Sequence, residues 1–118
     1  MYRNNYINSV DNAPNANGTE VYYADSNNGN AYGTTSEKLA TNILNRMLYY
    51  MGSTNRGVKT AEHAVTKRCE MPAALTEVGF ITNPTEVYNM TTDEYQYKAA
   101  QGIAEGIMIT LKDINVPQ

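Results

Sequence analysis

The sequence predicts an α/β fold, and three observations carry that expectation. A β-branched and aromatic run, TEVYYA (19–24), reads as a strand. Residues 36–51 and 95–111 each carry an apolar stripe at helical spacing. Between them, MPAALTEVGFITNPTE (71–86) holds a second apolar strand that breaks at Gly79. Short strands alternating with amphipathic helices bury both apolar surfaces when the helices cover a sheet. The 118 residues suffice for one core and not for two.

Taken in order, residues 1–6 are polar and rich in Asn, and residues 7–10 read as a short strand end. DNAPNANG (11–18) is a loop, because Asn, Pro and Gly supply turn geometries. After the 19–24 strand, residues 25–34 form a second polar loop. Thr35 or Ser36 caps a helix through Met51. Leu39, Ala40, Ile43, Leu44, Met47, Leu48 and Met51 line its apolar face, and Gly52 follows where a left-handed residue is wanted. Residues 53–57 read as a turn and 58–65 as a weak strand. The central strand is expected over 73–78. Asn83, Pro84 and Glu86 form a helix start: an N-cap, a proline at the first position and an acid three residues after the cap. Thr91 or Thr92 caps the last helix, whose buried stripe is read as Tyr95, Ala99, Ile103, Ile107 and Leu111. Gly102 and Gly106 suit a close helix crossing.

Composition excludes several function classes. A net charge of −3 provides no surplus of Lys and Arg to track phosphates, so nucleic acid is not an expected partner. No apolar run approaches the roughly 20 residues of a membrane span, so no membrane role is expected. The first residues lack the apolar segment of a signal peptide, which implies a cytoplasmic product as written or a piece of something longer. The single cysteine, Cys69, has no evident partner base and is read as a loop or strand-end thiol.

Glu77 is the conspicuous residue. A carboxylate among Leu75, Val78, Phe80 and Ile81 is costly unless it is paired, hydrogen-bonded, metal-bound or protonated. It is read either as a strand-end acid in water or as a general acid/base, since strand ends of α/β sheets are where ligands bind.

MPAALTEVGFITNPTE resembles the end of the zinc-dependent N-acetylmuramoyl-L-alanine amidases of bacterial cell walls and phage lysins. NGTEVYY (17–23), the 36–51 helix, NRGVKTA (55–61) and the 93–111 helix resemble further family segments in the same order. The resemblance covers nearly the whole chain and implies that residues 1–118 are the C-terminal portion of a single amidase catalytic domain. It also implies a mixed sheet of short strands covered by helices, lacking the N-terminal strands of the full domain.

The implied activity is zinc-assisted hydrolysis of the muramyl–L-alanine amide of peptidoglycan, with Glu77 taking and returning the proton. Asn12, Arg56 and Asn83 are implied as substrate-binding residues, and Glu20 as support for the site. The family's zinc is held by two histidines and a glutamate. The first histidine and the glutamate belong to an N-terminal region that this sequence does not contain, and Val10 occupies the place of the second histidine. His63 falls where the family has an aromatic residue and is read as a strand-surface or half-buried side chain. No metal ligand is therefore assigned, and the chain is expected to be inactive alone. The alternatives are a non-catalytic peptidoglycan-binding or amidase-regulating protein, or a vestigial gene fragment. By family the location is the cell wall or outside the cell. The expected partners are peptidoglycan and either a missing N-terminal half or a second copy joined through an exposed sheet edge.

Overall fold

The computed structural model describes residues 2–8 by their backbone and residues 16–114 in full. Four strands and four helices follow in the order β1 (Tyr2–Asn8), β2 (Thr19–Tyr23), α1 (Ser36–Met51), β3 (Asn55–Thr60), α2 (Ala64–Lys67), β4 (Ala73–Phe80), α3 (Pro84–Met90) and α4 (Asp93–Leu111). The strands form one mixed sheet ordered β1-β4-β2-β3. β1 is parallel to β4, β2 is parallel to β3, and β2 and β4 run antiparallel. The α/β class is thus observed, with the long helices α1 and α4 on one face.

The two long helices form where their caps and stripes place them. The Thr35 side chain accepts from the Lys38 N–H at 3.2 Å. Gly52 closes α1 at φ 66°, a left-handed conformation that glycine adopts without a Cβ penalty. Leu39, Ala40, Ile43, Leu44 and Met47 are buried against Val21, Tyr23 and Ala74 of the sheet and Ala99 and Ile103 of α4. The side chain of Thr92 caps α4. Its buried face holds Ala99, Gly102, Ile103, Gly106 and Thr110, while Leu111 is exposed. A strict four-residue repeat advances about 400° per step on a helix of 3.6 residues per turn, so the stripe drifts off the core before Leu111. At Gly102 and Gly106 an added Cβ would lie 2.5 Å from the Cα atoms of Met47 and Ile43. The backbones of α1 and α4 meet there, as the two glycines suggested.

Two elements differ from the sequence-based expectation. The polar segment YRNNYIN is a full strand, where only residues 7–10 were expected to be extended. Its parallel pairing with β4 from Tyr2↔Ala73 onward decides the conformation, because strand formation depends on neighbours more than on intrinsic preference. NRG, expected as a turn, opens β3 instead. Gly57 has φ 91°, and its N–H donates to Asn55 Oδ1 at 2.8 Å. The β2–β3 register shifts at this point, so the turn-forming residues make a bulge rather than a reversal. β3 ends at Thr60, and the rest of the expected 58–65 strand is a loop and α2.

Candidate functional site

Antiparallel pairing of β2 and β4 sets Glu20 directly opposite Glu77, with Tyr22 opposite Leu75 on the same face. This face is turned away from α1, whose partners Val21 and Ala74 alternate onto the other side. Two carboxylates on one rung repel each other, so each needs a distinct environment. Glu20 is 3% exposed and well partnered. Its Oε1 accepts from the Tyr22 hydroxyl at 3.0 Å. Its Oε2 pairs with Lys59 Nζ, and Arg56 Nε lies 3.5 Å away. Burial, then the hydrogen bond to Glu20, push the Tyr22 hydroxyl up to about 12.

Glu77 has the opposite character. It is half-buried in the interior of β4, not at a water-facing strand end. Its Oε2 is buried and meets no hydrogen-bond partner among the described residues. Burial first, and the neighbouring charge of Glu20 second, hold its carboxyl above the ordinary carboxylate value, with Lys59 opposing. Glu77 lines a cavity of about 300 Å³ together with Leu75, His63, Ala64 and Val65. His63 lies in the loop that starts α2, not on a strand, and packs edge-on against Tyr22 with ring centroids 5.3 Å apart. Its Nδ1 is likewise buried without a partner among the described residues. A carboxyl held above its ordinary pKa, sharing an apolar-walled cavity with an imidazole, is suited to moving protons.

The other sequence-nominated residues separate. Arg56 stacks over the Phe80 ring, 4.7 Å from its centroid, while facing Glu20. Asn83 caps α3, its Oδ1 accepting from the Glu86 N–H at 3.1 Å. It lines a different cavity of about 330 Å³ with Asn17, Ser53 and Tyr95. Asn12 and Val10 lie outside the described residues. Sequence reading missed the roles of Lys59, Tyr22 and His63. Alternation along β2 would have put Tyr22 beside Glu20. Lys59 and His63 were hidden because β3 was expected to start and end three or more residues later.

The described residues alone do not make a zinc site of the usual kind. Among the described residues no three or more of His, Cys, Asp and Glu converge in a way that could hold a metal ion. Structural and catalytic zinc sites use at least three protein ligands. His63 and Glu77 share a cavity, yet they supply two donors.

The family model for N-acetylmuramoyl-L-alanine amidases matches residues 6–108. The chain belongs to this amidase family. It is 36% identical over 92 residues to the uncharacterised protein YqiI of Bacillus subtilis, covering 78% of this chain and 43% of YqiI. It is 37% identical over 90 residues to the amidase LytC of Bacillus subtilis, covering 76% of this chain and 17% of LytC. Among solved structures it superposes on the amidase AmiC2 of Nostoc punctiforme with a TM-score of 0.81 and 34% identity, over 93% of this chain and 57% of AmiC2. The amidase of Clostridium difficile 630 gives 0.83 and 28%, over 93% and 56%. The chain therefore spans less than half of these curated relatives and little more than half of the solved domains.

Proposed function

We propose that this chain is the C-terminal part of an N-acetylmuramoyl-L-alanine amidase catalytic domain, and that Glu77 is its proton-transfer residue. The observation that carries this reading is the state of Glu77: half-buried, opposite Glu20 on the β2–β4 ladder, raised in pKa and facing a cavity. Such a carboxyl can accept a proton from water as the water attacks the carbonyl of the muramyl–L-alanine amide. It can then return that proton to the departing amine. Glu20 supports the site by keeping Glu77 reluctant to ionise, while Lys59 and Arg56 absorb its charge. Arg56 Nε faces Glu20 and Asn83 Oδ1 caps α3, so any contact with the stem peptide would come from their other polar atoms.

The metal that the family uses is not assigned to this chain's described residues, and no step is routed through it. The chain alone is inactive in this reading, and peptidoglycan hydrolysis belongs to a completed domain at the cell wall. Relatives include an uncharacterised cell wall amidase of Bacillus anthracis and the probable cell wall amidase LytH of Staphylococcus saprophyticus, which supports that location. The test is a chimera joining the upstream half of the LytC catalytic domain to this chain carrying Val10→His. It is expected to release amino groups from peptidoglycan and to lose that release in Glu77→Gln while keeping its fold. Equal release with Glu77→Gln would remove Glu77 from the chemistry.

A further inference from the structure

The ladder between β2 and β4 is short. Its rungs are Tyr22↔Leu75, Val21↔Thr76 and Glu20↔Glu77, so the carboxyl pair stands on the last one. Frayed strand ends move, and one more or one fewer rung changes which side chains face each other. Beyond the last rung, side chains replace the backbone ladder. Thr19 Oγ1 donates to the Val78 carbonyl at 2.9 Å. Glu86, 7% exposed, sends its Oε1 between the two strands. That one atom accepts from the Gly18 N–H at 3.0 Å and from the Phe80 N–H at 3.1 Å, both in buried positions. Gly18 lies two residues before Glu20, and Phe80 three residues after Glu77.

The surroundings are shaped for this carboxyl. A Cβ at Gly79 would come within 3.0 Å of Glu86 Oε2. Gly18 has φ 113°, and a Cβ there would meet the Thr54 carbonyl oxygen at 2.6 Å. A side chain at Gly79 would crowd the clamping carboxyl, and one at Gly18 would strain the backbone that carries its N–H donor. The capping role expected of Glu86 is only half filled. Its own N–H is bonded to Asn83, whereas its side chain reaches away from the helix start to the strands.

We propose that Glu86 is a positioning residue: through Oε1 it holds the start of β2 against the end of β4, and so fixes Glu20 beside Glu77. The inference rests on the reading of Glu77 as the proton-transfer residue, although its geometry is independent of it. Glu86 touches no reacting atom in this role. Removing the clamp lets the last rung open, and the coupling between the two carboxyls fades.

The experiment is a carbon-detected NMR titration of the Glu77 carboxyl, with and without Glu20→Gln, in three backgrounds of the full chain. In the native background Glu20→Gln lowers the Glu77 pKa, because the neighbouring charge is removed. In Glu86→Asp, one methylene too short to reach both N–H groups, that lowering shrinks. In Glu86→Gln, which keeps an acceptor oxygen, it is retained. Should Glu86→Asp fail to fold, Gly79→Ala crowds the same carboxyl and takes its place. A Glu86→Asp or Gly79→Ala protein that melts lower but shows undiminished coupling would make Glu86 merely structural and overturn the proposal. So would a Glu86→Gln protein that loses the coupling. The titration involves no substrate, so a failure of the amidase reading in the chimera leaves this result standing, and the reverse also holds.

Discussion

Replacing Gly106 with alanine sets two effects of known size against each other. In the helix interior alanine is favoured over glycine by about 1 kcal/mol, so α4 considered alone would gain stability. At the α1 crossing, however, the new Cβ lies 2.5 Å from Ile43 Cα, 2.6 Å from Ile43 N and 2.9 Å from the Asn42 carbonyl carbon. All three are backbone atoms, so no rotamer change relieves the contact. Carbon atoms prefer about 3.5–4.0 Å, so the helices must part by about 1 Å. The residues in that seam, Ile43, Met47 and Ile103, are buried, and parting the helices loosens their packing. Overpacking of this kind costs typically about 1–3 kcal/mol, and backbone clashes lie in the upper part of that range. The net expectation is a loss of about 1–2 kcal/mol, which in a domain near this size lowers the melting temperature by roughly 5–15 °C. Thermal unfolding followed by circular dichroism measures it. Gly29→Ala serves as the control, because nothing lies within 4 Å of its added Cβ. Gly106→Ala melting at or above the native temperature would refute the close crossing.

Three further outcomes are expected. Because burial and Glu20 raise the folded-state pKa of Glu77, the stability linked to its proton is fully present below the ordinary value of 4.5 and is lost as pH rises through the raised one. Glu77→Gln should therefore be more stable than the native chain at neutral pH and should lose that part of the pH dependence, as urea titrations at acid and neutral pH would report; a less stable variant would contradict the burial reading. Lys59→Met removes the Lys59 ion pair of the buried Glu20 and leaves Arg56 Nε 3.5 Å from it. Breaking a fully buried pair costs about 3–5 kcal/mol, and since Lys59 is partly solvated a loss of about 1–3 kcal/mol is expected, with the Glu77 pKa moving further up; an unchanged pKa by NMR would argue against the shared electrostatics. Finally, β1 and β3 form the two edges of the sheet, and Ala64 and Val65 of the short α2 line the cavity on the Glu77 face. Gel filtration with light scattering is expected to show self-association or a broad melting transition, and a sharply melting monomer would count against an incomplete domain.

The long helices were legible because their signals are local. Thr35, Gly52 and the 39–51 stripe specify α1 without reference to anything else. The strands were harder. β1 is polar and takes its conformation from β4, and β3 begins with residues that elsewhere make turns. Glu77 stood out as an acid in an apolar run, and its motif gave it a role. What it faces follows from register, and register is set by pairings between segments far apart in sequence. Hence Glu20 was nominated but its partners Lys59 and Tyr22 were not. Glu86 was read through its helix, while its side chain serves the sheet.

The most direct measurement is zinc content of the purified chain by elemental analysis, run beside the release of L-alanine amino groups from peptidoglycan. A chain that carries the proton-transfer carboxyl without a complete metal set predicts no stoichiometric zinc and no release. About one zinc per chain, as a complete set of protein ligands would hold, with release abolished by Glu77→Gln, would contradict it and make this chain a working amidase on its own.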